Sequence, residues 1–376
     1  MVVHNRYRIE GGEERSVDLQ LRALQRAGIQ HALFQRRSAD VGPATAARAL
    51  LRGGLDEDDV TEAVRRLGAG IVHVHNMLPL VGPRGLVAAR SAGAAVVVHL
   101  HNARLFCAIG VASRDGGPCF RCRRRFTVPG LLLNCRGSLP EAAVYATALA
   151  RHQPAVLRAV DRFVAPSRYA VGQLGLLGIP RDRLEPLHHY LPREAFAERS
   201  RAREGQYALV VSRLSVEKGI DVAIEASARS AVPVRVAGEG PAAEELRDLA
   251  RRVGAPARML GRVERGEMGE LLAGAGALLM PSRYHEFSPY AALEAMAAGV
   301  PVIATRMGGL PELIGEERCV PHNDPEALAS RLGELWADPE RRATDGDALI
   351  ARAREGWSEE RYMRDLVNLY ARVGRT

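Results

Sequence analysis

Two glutamates with seven residues between them, Glu286 and Glu294, lie in the stretch YHEFSPYAALEAMAAGVPVIAT, which runs from Tyr284 to Thr305. A carboxylate pair of this kind suits the neighbouring hydroxyls of a diol-rich ligand. Two cations, Arg213 and Lys218, stand five apart in SRLSVEKGID, where they can converge on a diphosphate. Lys218 is the chain's single lysine, and a compact ammonium differs chemically from the planar guanidinium used everywhere else. Four cysteines, Cys107, Cys119, Cys122 and Cys135, follow the pattern C-x11-C-x2-C-x12-C. The central pair is spaced for two thiolates to share a tetrahedral zinc, with the outer pair completing it; isolated core cysteines are the competing reading.

These side chains need elements to hold them. Ser288 suits a helix N-cap and Pro289 the first turn, so residues through Ala298 read as a helix stopped by Gly299, with a strand from Val300 to Ala304. Glu286 then precedes a helix N-terminus, which attracts anions, and Glu294 lies about a turn inside. Ordinary core packing accounts for Leu293, Ala295, Met296 and Ala297. A strand from Tyr207 to Val211 delivers Arg213 and Lys218 to the start of a further helix. Another, Val234 to Ala237, runs into the turn Gly238-Glu239-Gly240-Pro241, which exposes backbone amides but lacks the third glycine of a dinucleotide fingerprint and so argues against a nicotinamide enzyme. Arg258 to Gly261 leads into Arg262 and Val263, Leu278 to Pro281 reads as the next strand, and Gly308 to Ile314 supplies one more glycine loop.

The first half follows the same grammar. Val2 and Val3 read as the remnant of a strand, followed by the loop HNRYRIEGGEER and an amphipathic helix from Ser16 to Ala27. Gly11 and Gly12 let the backbone approach a ligand there, a flexible turn being the alternative. Apolar runs at His31–Gln35, Ile71–His75 and Val96–His101, separated by helical stretches at Glu57–Leu67 and Arg84–Ala92, predict parallel strands of a doubly wound sheet. Ligands gather at the carboxyl ends of such strands, where His75 and His101 fall. The basic run RCRRRF, Arg121 to Phe126, reads as a solvated loop, a lid, or a patch for an anionic acceptor or lipid headgroup. Helices at Pro140–Ala150 and Pro154–Val160 precede a strand that ends at Ser167 and Arg168. Leu191 to Gln206 lacks apolar periodicity and reads as a linker. From Pro325 the pattern is helical, with Trp357, Tyr362, Met363, Leu366, Leu369 and Tyr370 marking the apolar face of a last helix.

The 376 residues, 47% apolar and 26% charged, are a globular composition with room for two cores. No run reaches the roughly 18 apolar residues of a membrane span, and the N-terminus has no apolar signal core, which predicts a cytoplasmic protein. The formal net charge is +8, but arginine is spread along the chain among acids and no nucleic-acid module is recognisable, so phosphates or anionic lipids fit better than nucleic acid.

Glu286 and Glu294 with EAMAAGVPVIAT resemble the E-x7-E motif of retaining glycosyltransferases of family 4, and SRLSVEKG resembles their GRL-x-x-EKG segment. Phe287 directly follows Glu286 where that family usually has a glycine, and Ser212 replaces another. The resemblance covers most of the chain in order and implies an α/β GT-B fold: two Rossmann-like doubly wound domains facing a cleft, with a C-terminal helix crossing back to the first. It places an acceptor domain at 1–190 with a cysteine insertion at about 105–137, a linker at 191–206, a nucleotide-sugar domain at 207–356 and the returning helix at 357–376. It implies a UDP- or GDP-sugar donor, an unidentified acceptor, transfer with retention and no catalytic metal. By the same match Arg213 and Lys218 neutralise the departing diphosphate, Glu286 holds sugar hydroxyls, Glu294 holds ribose hydroxyls, and VVVHLHN assigns His101 rather than His99 to the donor sugar. Gly11, Gly12, Gly238, Glu239, Gly240, Arg262, Val263, Phe287, Ser288 and Pro289 line the donor. A noncatalytic sugar-nucleotide binder and a sugar-nucleotide epimerase of the same fold remain the alternatives.

Overall fold

The structure is a computed structural model and describes residues 1–7 and 11–374. The chain forms two compact units, one of Met1–Ala112, Cys119–His189 and Tyr362–Thr376, the other of Ser113–Pro118 and Tyr190–Arg361.

The first unit holds β1 (Val2–Arg6), β2 (Leu33–Arg37), β3 (Ile71–Asn76) and β4 (Ala95–His99). A short hairpin, β5 (Ser113–Arg114) with β6 (Gly117–Pro118), interrupts the order before β7 (Arg162–Ala165) and β8 (Leu184–Pro186). The sheet is entirely parallel in the order β2-β1-β3-β4-β7-β8. Its central strands are covered on both faces, which is why Val72, Val74, Val96, Val97 and Val98 are all buried. β1 extends through Arg6, and the first helix begins at Gly12 and ends at Arg26, so Glu13, Glu14 and Arg15 are helical rather than part of the expected loop. Residues 8–10 of that loop lie outside the described residues.

Pro154 does not break its helix. A single helix runs Leu139–Ala159. A proline removes the N–H that would bond the carbonyl four residues back; here Arg125 Nε donates to that carbonyl, on Ala150, at 3.0 Å. Two further ties hold the basic run to this unit: Gln153 Nε2 donates to the Arg124 carbonyl at 2.8 Å, and the Arg124 amide to the Leu177 carbonyl at 2.7 Å.

The second unit holds β9 (Tyr207–Val211), β10 (Val234–Ala237), β11 (Ala257–Gly261), β12 (Ala275–Met280), β13 (Val302–Thr305) and β14 (Cys319–Val320), parallel in the order β11-β10-β9-β12-β13-β14. Sequential strands run outward from β9 on one side and from β12 on the other, so the order reverses between those two, the crevice where ligands of open α/β sheets bind. Helices Ile220–Ser230 and Pro325–Ala337 pack Ile220, Ile224, Leu328, Leu332 and Leu335 onto Val210, Val234, Val236 and Ile303. Each such buried aliphatic side chain contributes roughly 1.5–3 kcal/mol. Residues 191–206 are fastened to this unit: the Ser200 amide donates to Asp347 Oδ1 at 2.6 Å, and Arg342 Nε to the Ala202 carbonyl at 3.0 Å.

Candidate functional site

The loops after β9 and β12 bring Lys218 and Glu286 together. Lys218 Nζ donates to Glu286 Oε1 at 2.7 Å and to the Tyr284 hydroxyl at 2.9 Å. Ser282 Oγ donates to Glu286 Oε1 at 2.8 Å, and Tyr284 donates to Oε2 at 2.5 Å. Glu286 is only 5% exposed, so three donors, one of them charged, compensate a buried carboxylate. Burial by itself lowers the lysine pKa; the Glu286 charge and then the Tyr284 group outweigh it, leaving Lys218 above its ordinary value and firmly protonated. Burial, then Glu286, pushes the Tyr284 hydroxyl up. The pairing joins two roles the sequence assigned separately: the cation for the diphosphate and the acid for the sugar share one hydrogen-bonded group.

Backbone geometry positions this group. The Arg283 guanidinium forms a bidentate pair with Asp221 at the start of the helix after Lys218, and the Arg283 amide donates to the Glu217 carbonyl at 2.8 Å, which ties the two loops together. Gly308 has φ +66° and sits so close to Glu286 that a Cβ would stand 2.2 Å from its carbonyl oxygen; the Gly309 amide donates to that oxygen at 2.6 Å. The helix bearing Glu294 runs Tyr290–Ala297. Pro289, at ψ 128°, is its N-cap, so the helix starts one residue later than expected and Ser288 does not cap it. Phe287 and Glu294 are half-buried, and Ser288 is buried. Arg213 is exposed just beyond β9, with no ion-pair partner among the described residues.

Gly238 and Gly240 have a structural cause: a Cβ on either would stand 1.8 Å from the Ser212 carbonyl oxygen or 2.2 Å from that of Leu214. The loop therefore packs against the Arg213 loop, and the Gly238 amide is spent on the Gly261 carbonyl at 2.7 Å. Arg262, exposed and paired with Glu264 at 3.4 Å, and Val263 follow the edge strand β11. That edge lies two strand spacings from β9, about 10 Å.

The first unit gathers a different set. The Gly11 amide donates to Glu14 Oε2 at 2.8 Å and the Tyr7 amide to Oε1 at 3.0 Å, closing the glycine loop onto the helix that starts at Gly12. A Cβ on Gly11 would meet only Glu14, at 3.8 Å, so the fold does not itself demand glycine there. Glu13 lines a pocket with Tyr7, His75, His101, Asn102 and Arg104. Burial, relieved in part by Arg104 and reinforced by Glu14, pushes its carboxyl up to about 8. His101 lies two residues past the end of β4; its Nε2 is 2.9 Å from His75 Nδ1 and its Nδ1 3.4 Å from His189 Nε2. Ser167 Oγ caps the helix Arg168–Leu177 by accepting from the Ala170 amide at 3.1 Å.

All four insertion cysteines are free thiols. Burial pushes Cys122 up to about 11, with Cys107, Cys135 and Cys119 adding to it, so the four lie in one neighbourhood. Among the described residues, however, the groups whose ligand atoms come within metal-holding reach of one another consist of histidines, not cysteines. Tyr284, Ser282, Arg283, Asp221 and Glu13 were not singled out as site residues by sequence. Tyr284 opened the stretch that carries the glutamates, but its partner Lys218 is 66 residues away.

The two six-stranded parallel sheets define a GT-B fold. Across 98% of both chains the structure matches Anabaena HepE, solved in complex with UDP and glucose, with a TM-score of 0.69 at 16% identity. It matches sucrose-phosphate synthase from Thermosynechococcus elongatus over 99% of this chain and 98% of that one, with a TM-score of 0.73 at 17% identity. Residues 193–350 match the family described as glycosyl transferases group 1. Over 171 residues, 42% of this chain and 45% of the relative, it is 36% identical to a GDP-mannose-dependent monoacylated alpha-(1-6)-phosphatidylinositol monomannoside mannosyltransferase of Corynebacterium glutamicum. It is 32% identical over 220 residues, 53% of each protein, to the putative colanic acid biosynthesis glycosyltransferase WcaL of Salmonella typhimurium. The chain thus spans about half the length of these curated relatives.

Proposed function

We propose that the chain is a retaining glycosyltransferase that moves a sugar from a UDP- or GDP-sugar to a glycan, lipid-linked or small natural-product acceptor. The observation that carries this reading is the Lys218–Glu286–Tyr284 group at the β9/β12 switch point, beside the exposed Arg213 and inside the segment that matches the group 1 transferases. The chemical problem is charge growing on a leaving diphosphate. Fixed cations in a preorganised site stabilise it without reorganisation, and Arg213 and Lys218 serve that role with no catalytic metal in the scheme. The start of the helix Tyr290–Ala297, with Phe287, Ser288 and Pro289, adds amide dipoles on the same side. Glu294 takes the ribose hydroxyls, Glu286 those of the sugar, and the Gly238–Gly240 turn with Arg262 and Val263 the nucleoside. Gly11, Gly12 and His101, which belong to the first unit, are assigned to the donor by the family resemblance alone. The relatives' names support this reading through their nucleotide-sugar chemistry.

Calorimetric titration with UDP and with GDP tests the donor site, and the anomeric configuration of the product, read by NMR, tests retention. Failure to bind either nucleotide overturns the reading; conversion of donor alone to a second sugar nucleotide replaces it with the epimerase alternative.

Two accessory features complete the proposal. The four cysteines share a structural zinc, a donor set of the right chemistry whose sulfurs must draw closer to coordinate one ion; a Cys122→Ser protein that folds unchanged and zinc-free removes it. No helix among the described residues is long and apolar enough to cross a membrane. The insertion and the helix start just after it instead expose Phe126 (58%), Leu132 (76%) and Leu139 in the same stretch of chain as exposed Arg121, Arg123, Arg124 and Arg125, with no acidic residue between Asp115 and Glu141. Apolar side chains rimmed by arginines suit peripheral contact with an anionic membrane at its cytoplasmic face.

A further inference from the structure

Six of the eleven histidines are buried or half-buried together in the first unit: His4, His73, His75, His99, His101 and His189. The strands explain how. In IVHVHN and VVVHLHN the histidines alternate with apolar residues, so His73 and His75 share one face of β3, and His99, the last residue of the adjacent β4, is followed two residues on by His101, whose ring stacks on it. Their rings stack at centroid separations of 5.0 Å for His73–His75, 5.1 Å for His75–His99 and 4.1 Å for His99–His101.

A neutral imidazole carries one N–H and one lone pair. In His99, 1% exposed, neither ring nitrogen has a hydrogen-bond partner, and Nε2 of His73 has none either. Each buried polar group left so costs on the order of 1–3 kcal/mol, which a core built only for packing would avoid with aliphatic residues. The outer nitrogens, in contrast, are held. His73 Nδ1 lies 2.8 Å from the Tyr370 hydroxyl and 3.1 Å from Gln20 Nε2, and His75 Nε2 lies 2.5 Å from Gln20 Oε1. Gln20 Oε1 can only accept, so His75 donates its outer N–H there and turns a lone pair inward, the arrangement by which oxygen acceptors orient metal-binding imidazoles, while Tyr370 fixes the orientation of the His73 ring.

We infer that His73, His75 and His99 form a binding site for one imidazole-preferring divalent transition-metal ion of the zinc, nickel or copper class, with Tyr370 and Gln20 as its orienting shell. Ligand atoms of these three residues lie within 4.8 Å of one another. A tetrahedral ion at about 2.0–2.1 Å from nitrogen draws its ligands to roughly 3.3 Å, so ring rotations of about an ångström close the site, and His75 Nδ1 exchanges His101 for the ion. His99 also belongs to a second close group with His101 and His189, so its loss disables both. An imidazole-only set without thiolate or carboxylate favours these metals over magnesium or calcium.

The test uses the full chain, stripped of metal and titrated with cobalt(II). The protein carries Cys122→Ser and Cys135→Ser, which breaks the four-cysteine set, and the thiolate charge-transfer band reports any cobalt held by the cysteines that remain. Visible d–d absorption saturating at one ion per chain, with no thiolate charge-transfer band, is expected; His99→Ala abolishes it, whereas the exposed His31→Ala keeps it. No uptake, or uptake that survives His99→Ala, overturns the site. Should His99→Ala not fold, zinc-edge X-ray absorption on the unmutated, zinc-loaded chain decides independently. Imidazole outer-shell scattering supports the site, and a shell of sulfur alone sinks it.

Discussion

Glu13 offers the sharpest physical test because its chemistry cannot be mimicked by a solvent-exposed carboxylate. The Tyr7 hydroxyl donates to its Oε2 at 3.0 Å, and Asn102 Nδ2 approaches the same oxygen at 3.4 Å. Its carboxyl is pushed from 4.5 up to about 8, chiefly by burial. The folded state therefore holds a proton that the unfolded chain has already released. For an acid raised in this way, stability is fully present below the unfolded value and is lost as pH rises toward the folded one. Between about pH 5.5 and about pH 7.5 the slope is about 1.4 kcal/mol per pH unit, or about 3 kcal/mol over the window. Glu13→Gln keeps the shape and the acceptor oxygen but carries no titrating proton. The variant should gain on the parent by up to about 3 kcal/mol across that window, roughly 6–12 °C in the melting temperature of a domain of this size. Differential scanning calorimetry of both proteins at several pH values reads the difference directly. Parallel curves of melting temperature against pH would refute the reasoning, because they would mean that Glu13 ionises in its pocket as it does in water.

Lys218→Ala should cut turnover by on the order of 10²–10³, because it removes charge where charge develops, measured as kcat with donor and acceptor. The same change leaves Glu286 buried without its cation and should cost about 3–5 kcal/mol; Lys218→Ala combined with Glu286→Gln should recover part of that loss in a denaturation experiment, and no recovery counts against the pairing. Glu294→Ala should weaken nucleoside diphosphate binding by about tenfold or more in calorimetry, with hydrogen bonds to ribose worth about 1.5–3 kcal/mol; unchanged affinity removes that role. Leu132→Ser with Phe126→Ser should reduce co-sedimentation with phosphatidylserine vesicles and leave the melting temperature within about 1 °C, since surface changes seldom exceed about 0.5 kcal/mol; equal binding by both proteins excludes the insertion as the membrane contact.

Which parts of this molecule were legible in its sequence follows from the range of the forces involved. The valine-rich runs of β3 and β4 and the strand Tyr207–Val211 were readable because apolar patterning is local, and so was the placement of Arg213 and Lys218 beyond a strand end. Pro154 misled because the group that rescues its helix, Arg125, is 29 positions away from it in the chain. The Gly238-x-Gly240 turn was legible as a turn, but not that its glycines also make room for the carbonyls of Ser212 and Leu214 in a separate loop. Tyr284 and Glu13 acquire their character from Lys218 and from Arg104 and Asn102, contacts between distant segments that no window of sequence displays. The histidines are the intermediate case. Period-two spacing puts His73 with His75 and His99 with His101, yet reading strand ends alone selected His75 and His101 and passed over the two behind them. Had the alternation been followed inward along two neighbouring parallel strands, four imidazoles on one buried face would have stood out before any coordinates. A face that carries four neutral bases needs a chemical reason as much as a carboxylate pair at a helix start does.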